Sequence, residues 1–103
     1  MTVNISTDFL VIAEQWADAE AAADLLEQTK SAYLAKRMTA LGDMPVSRAE
    51  TLVKASPEWD DYLRKMCAAR EKATLLKVQV EYVKMKFSER QSEEATRRAE
   101  ARL

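Results

Sequence analysis

The 103-residue sequence predicts an all-α fold: an antiparallel, coiled-coil-like helical hairpin with a short helix in its connection. Three observations predict it. From Trp59 onward, Tyr62, Met66, Ala69, Ala73, Leu76, Val80, Val83 and Phe87 follow at alternating steps of three and four, uninterrupted by Gly or Pro. That is a seam of a and d positions about four heptads long, buried against another helix. A second seam of the same spacing runs through Phe9, Ile12, Trp16, Ala19, Ala23, Leu26, Lys30, Tyr33, Arg37 and Ala40. The one Gly and two Pro of the chain all fall between Gly42 and Pro57, so the chain reverses direction there and nowhere else.

The first helix is expected over about residues 7–41. Ser6 or Thr7 can cap it, and Asp8 suits the positive end of its dipole. Lys36 and Arg37 suit the opposite end, and Gly42 is a natural residue just past it. About 35 residues at about 1.5 Å each give a rod near ~52 Å. Ala19 and Ala23 permit a close helix approach, and the Ala-rich run from Ala17 to Ala23 favours helix throughout.

The short second helix is expected over about residues 47–55. Ser47 and Glu50 have the spacing of a capping box, and Leu52 and Val53 supply a small apolar patch. The third helix is expected over about residues 57–98. Ser56 caps it, Pro57 occupies its first position, and Glu58, Asp60 and Asp61 enrich its first turns in acid. From Ser88 the sequence is almost entirely polar, so a frayed C-terminal tail is expected. One domain spans residues 1–103, since neither a repeat nor a linker divides it.

Charge aligns the two long helices. Residues 1–29 carry six acids and no base, whereas the rest of the chain carries 16 bases and 11 acids. On the third helix the e positions include Arg70, Lys77 and Lys84, and on the first they include Glu20 and Glu27. In an antiparallel pair e faces e. Pairing Glu27 with Arg70 and Glu20 with Lys77 is one register. It places Tyr33 near Met66, Leu26 near Ala73, Ala19 near Val80 and Ile12 near Phe87. About ten residues at the end of the third helix are then left without a partner.

A further apolar row lies on the c and f positions of the third helix: Leu75, Val78, Tyr82 and Met85. One intramolecular partner cannot cover both rows. The row is therefore a candidate partner face, with a second copy as the expected cover, giving a homodimer with a four-helix-bundle core. A different protein is the rival cover.

Catalysis finds no support. The chain has no His, which removes the commonest general base and most zinc sites. Its single cysteine, Cys67, makes neither an intramolecular disulfide nor a metal cluster, and its lone Gly cannot build a phosphate-cradling loop. Asp60-Asp61 and Glu93-Glu94 are adjacent pairs, which a helix splays by about 100°. No enzyme activity, cofactor or metal is expected. No stretch approaches the about 20 apolar residues that span a bilayer. The first base is Lys30, so a secretory signal is not expected; a cytoplasmic protein is.

Nucleic acid is the alternative partner. Between Tyr62 and Arg90 lie eight bases and three acids, with Lys65, Lys72, Lys86 and Arg90 the candidate phosphate contacts. An overall pI near 5.5 and the claims of the acidic first helix on the same bases weigh against it.

The order of a long Ala- and acid-rich helix, a polar turn, then Ala55-Ser56-Pro57-Glu58-Trp59 opening a basic helix with a Ser/Glu/Arg-rich end resembles a group of small all-helical phage and prophage proteins. The likeness is strongest over Ser47 to Arg98. These proteins are often encoded near early recombination or replication genes and have no established activity. The resemblance implies a phage accessory factor that binds a host or phage protein in a bacterial cytoplasm. Small secreted virulence factors built as helical hairpins with a Trp-x-Gly turn fit less well. Gly42 has no adjacent Trp, and Trp59 precedes Asp60-Asp61.

Overall fold

The computed structural model describes residues 5–102, with side chains from residue 7 onward. Three helices follow one another: α1 (Ile5–Ala40), α2 (Val46–Lys54) and α3 (Pro57–Ala101). The chain is a rod of 83 × 25 × 17 Å with a radius of gyration of 23.3 Å. A globular chain of this length would have a radius near ~13 Å. The all-α hairpin expected from the seams is the observed fold: α1 and α3 pack antiparallel, and α2 closes one end.

Helix boundaries follow local chemistry, with three departures from expectation. α1 is helical from its first described residue, so Ser6 and Thr7 lie within it rather than capping it. It ends at Gly42, whose φ of +89° is the left-handed conformation that lets a terminal turn close without a Cβ clash. Leu41 N–H and Gly42 N–H bond back to the carbonyls of Met38 and Thr39. α2 starts two residues earlier than the capping-box reading requires. Pro45 stands at the N-cap with no side-chain cap bond, and its carbonyl accepts from Ala49 N–H at 3.0 Å. Ser47 is thereby already helical, and its carbonyl accepts the Thr51 hydroxyl at 2.9 Å. Glu50 turns the other way, to Lys54 Nζ at 2.7 Å.

The start of α3 is as expected. The Ser56 hydroxyl accepts from Trp59 N–H at 3.3 Å and donates to the Val53 carbonyl, fastening α2 to α3. Pro57 sits at the helix start, where its missing N–H costs nothing. α3 then runs 45 residues to Ala101, helical past the residue-98 limit and through the polar stretch expected to fray.

Both seams are the buried faces. On α1 every seam residue from Phe9 to Arg37 is buried or half-buried. On α3 the same holds from Trp59 to Val83. The tightest layer is built of alanine: Ala23 and Ala73 are 0% exposed and cluster with Ala19, flanked by Ala69 and Leu76. Small side chains let the two backbones approach. Toward α2 the layer changes to aromatic rings. Tyr33 stacks on Tyr62 at 4.4 Å between centroids and 12° between planes, with Trp59 stacked at 6.2 Å from each.

The register differs from the expected one by about one helical turn. Tyr33 lies against Tyr62 and Trp59 rather than Met66, and Ala19 clusters with Ala73 rather than Val80. The hydroxyls explain the displacement. Tyr62 donates to the Leu26 carbonyl at 2.6 Å and lies 3.0 Å from the Thr29 hydroxyl, and Tyr33 donates to the Glu58 carbonyl at 3.4 Å. These bonds join α1 to α3 in the observed alignment. They sit beside the closed end, where α2 fixes how far the chains can slide. The displacement leaves Phe87, expected against Ile12, 46% exposed at the open end of the seam.

Candidate functional site

The most charged junction lies on the e flank between α1 and α3. Arg70, 34% exposed at its side chain, gathers three carboxylates from successive turns of α1. Its Nη1 reaches Glu20 at 2.8 Å, its Nη2 reaches Asp24 at 2.7 Å, and Nε and Nη2 together grip Glu27. Hydrogen bonding from Arg70 holds the Glu27 carboxyl below the usual glutamate range, outweighing its partial desolvation. The same three carboxylates push the guanidinium further toward its charged form. Glu27–Arg70 is the pair the charge pattern expects. Lys77 has no carboxylate partner among the described residues, and Glu20 pairs with Arg70 instead. Spacings of four and three place Glu20, Asp24 and Glu27 on one strip, and a planar five-donor fork can serve all three. That signal was present in the sequence, but one-to-one pairing hides it.

This junction ties α1 to α3. Among the described residues no group of His, Cys, Asp or Glu can hold a metal ion. No helix of the described residues is long and apolar enough to cross a membrane.

The outer row is different. Leu75, Val78, Tyr82 and Met85 stand side by side along α3, each 50–58% exposed. Geometry explains why α1 does not touch them: c and f positions lie nearly opposite the a and d seam on the same helix. Lys86 leans over the Tyr82 ring at 5.6 Å. Around the side of the hairpin, an open groove between the helices is lined by Gln15, Asp18, Ala19, Ala22, Ala69, Lys72 and Leu76. Its floor includes the small side chains Ala19, Ala22 and Ala69, and Asp18 and Lys72 supply its charge.

The four candidate phosphate contacts do not form one patch. Lys65, Lys72 and Lys86 share the g flank of α3, spread along the rod, whereas Arg90 continues the inner seam beyond Phe87. Lys65 pairs with Asp61 at 3.0 Å, Lys86 with Glu89 at 3.6 Å and Arg90 with Glu94 at 4.0 Å. Lys72 has no carboxylate partner among the described residues. Cys67 is an exposed free thiol on the opposite flank.

Comparison with protein-family models, with curated proteins and with solved structures gives no match.

Proposed function

We propose that the chain is a non-enzymatic protein–protein interaction module whose working surface is the outer row of α3. The observation that carries this reading is the row itself: four large apolar side chains, adjacent, in helical register and half exposed. Single exposed apolar residues are ordinary, but a contiguous strip flanked by charge is the pattern of a helix that packs on another apolar surface. The rigid rod suits this role, since the row is presented on a long helix that α1 braces from behind.

The resemblance to small phage and prophage proteins favours an accessory factor acting on a host or phage protein in a bacterial cytoplasm. Direct nucleic-acid binding is the weaker alternative. Three of its four candidate bases already have carboxylates beside them, and the bases do not converge.

The test is Val78→Glu with Tyr82→Glu. Helicity is expected to stay at the wild-type value, because neither side chain touches α1, while association through the row is lost. Undiminished association with the helices intact would remove the row from the function.

A further inference from the structure

We infer that the outer row of α3 is covered by the same row of a second copy, with the two third helices parallel and in register. This rests on the reading of the row as a protein-binding surface, and it names the occupant. The argument is charge complementarity along the row's two flanks.

The row is a short seam in its own right. Leu75 and Tyr82 take the role of a residues, and Val78 and Met85 that of d residues. Its flanks are then residues 67, 74 and 81 on one side and residues 72, 79 and 86 on the other. In sequence these are Cys67, Thr74 and Glu81 against Lys72, Gln79 and Lys86. One flank is neutral to acidic and the other neutral to basic.

The two possible alignments treat these flanks in opposite ways. In a parallel, in-register pair each flank meets the opposite flank of the other copy, five residues further on. Glu81 meets Lys86 of the second copy, twice by symmetry, Thr74 meets Gln79, and Lys72 meets the uncharged Cys67. In an antiparallel pair with the row fully overlapped, like flanks meet. Lys72 then faces Lys86 twice, and Glu81 faces Glu81. Every charged contact is favourable in the first alignment and unfavourable in the second.

The structure leaves these groups available. Glu81 and Lys72 have no ion-pair partner among the described residues. Lys86 has only a 3.6 Å contact to Glu89, with both side chains more than half exposed. On α1 the facing g positions are Gln15, Ala22 and Thr29, which carry no charge; Asp18 lines the same groove as Lys72 without forming an ion pair with it. Glu71 and Glu89, the polar residues that end the row, limit it to about two heptads, so the pair is weak and concentration-dependent. Because the row lies opposite the inner seam, the four helices form one layer in the order α1, α3, α3, α1. This replaces the four-helix core with a flat sheet of helices, and it sets the two C-terminal ends of α3 side by side.

Sedimentation of the full chain over a concentration series tests this, with helicity checked for each variant. The wild type is expected to shift from monomer toward dimer as concentration rises. Glu81→Lys alone and Lys86→Glu alone should each weaken association by about tenfold, whereas mixing the two variants should restore it as a heterodimer. Val78→Cys in a Cys67→Ser background should oxidise to a covalent dimer, because in-register packing brings residue 78 to its own symmetry mate. A wild type that stays monomeric overturns the second copy as occupant. Association that ignores both charge reversals, or a residue-78 cysteine that never crosslinks, overturns the parallel alignment. A monomeric wild type whose row is still needed to bind a different purified protein would leave the interaction-module reading standing while this inference falls.

Discussion

The two faces of α3 are built from the same kinds of residue at the same spacing, yet one is buried and the other is not. The inner seam from Trp59 to Val83 has α1 over it, with Ala73 completely enclosed; the outer row from Leu75 to Met85 stands half in water. Hydrophobicity alone does not separate them. What separates them is reach: one helix can cover an arc of its neighbour, and rows on opposite sides need two different partners. The inner face therefore carries stability, and the outer face is the one proposed for association.

The sharpest way to break that comparison is to damage the inner face. Trp59, 6% exposed and stacked on Tyr33 and Tyr62, should lose about 3–5 kcal/mol of stability on replacement by Ala. Thermal or urea unfolding reads the loss. Ala73→Leu should cost about 1–3 kcal/mol by forcing apart backbones that the alanine layer holds close. If either change is neutral, the inner seam is not the core. On the outer face Leu75→Ser or Val78→Ser should stay within about 0.5 kcal/mol of wild type in the dilute chain, read by the same unfolding curves.

The flanks differ as the faces do. Arg70 is committed to Glu20, Asp24 and Glu27, and Lys72 to no carboxylate. Arg70→Gln should lower the melting temperature, whereas Lys72→Gln should leave it unchanged. Acid sharpens the contrast. The folded Glu27 carboxyl titrates below its unfolded value, so its contribution is complete above the ordinary glutamate range and fades as pH falls through the lower folded value. The melting temperature of the wild type should drop there more steeply than that of Arg70→Gln. The smallest expected effect concerns nucleic acid. Replacing Lys65, Lys72, Lys86 and Arg90 with Gln should change DNA binding at low salt little, because the intact chain is expected to bind weakly; tight, salt-sensitive binding lost in the variant would revive that alternative.

Much of this was legible from spacing. The three-four alternation identified nearly every side chain between the helices, and Ser56-Pro57 and Gly42 marked their ends, because these are local rules with one strong solution. Register was not local. Sliding one helix past the other by a turn keeps most seam residues in contact, so the hydrophobic pattern scarcely distinguishes the alternatives. The choice fell to three hydroxyl-bearing side chains, Thr29, Tyr33 and Tyr62, whose bonds no periodicity encodes. Phe87 was misplaced by the same slip. Ser47 failed as a cap for a different reason: the helix begins after Pro45, two residues earlier than the Ser-x-x-Glu spacing implied. The outer row was legible as a row, and its exposure is as expected; its occupant had to be argued from the flanks.

Thiol labelling along α3 tests the division of faces most directly. Single cysteines at Ala69, Ala73, Leu76 and Val80, and at Leu75, Val78, Tyr82 and Met85, would be placed in a Cys67→Ser chain and alkylated at low and high protein concentration. The inner set is expected to be protected at every concentration. The outer set is expected to label freely when dilute and to become protected when concentrated. Outer cysteines that are protected even when dilute, or labelled freely however concentrated the chain, would contradict the account.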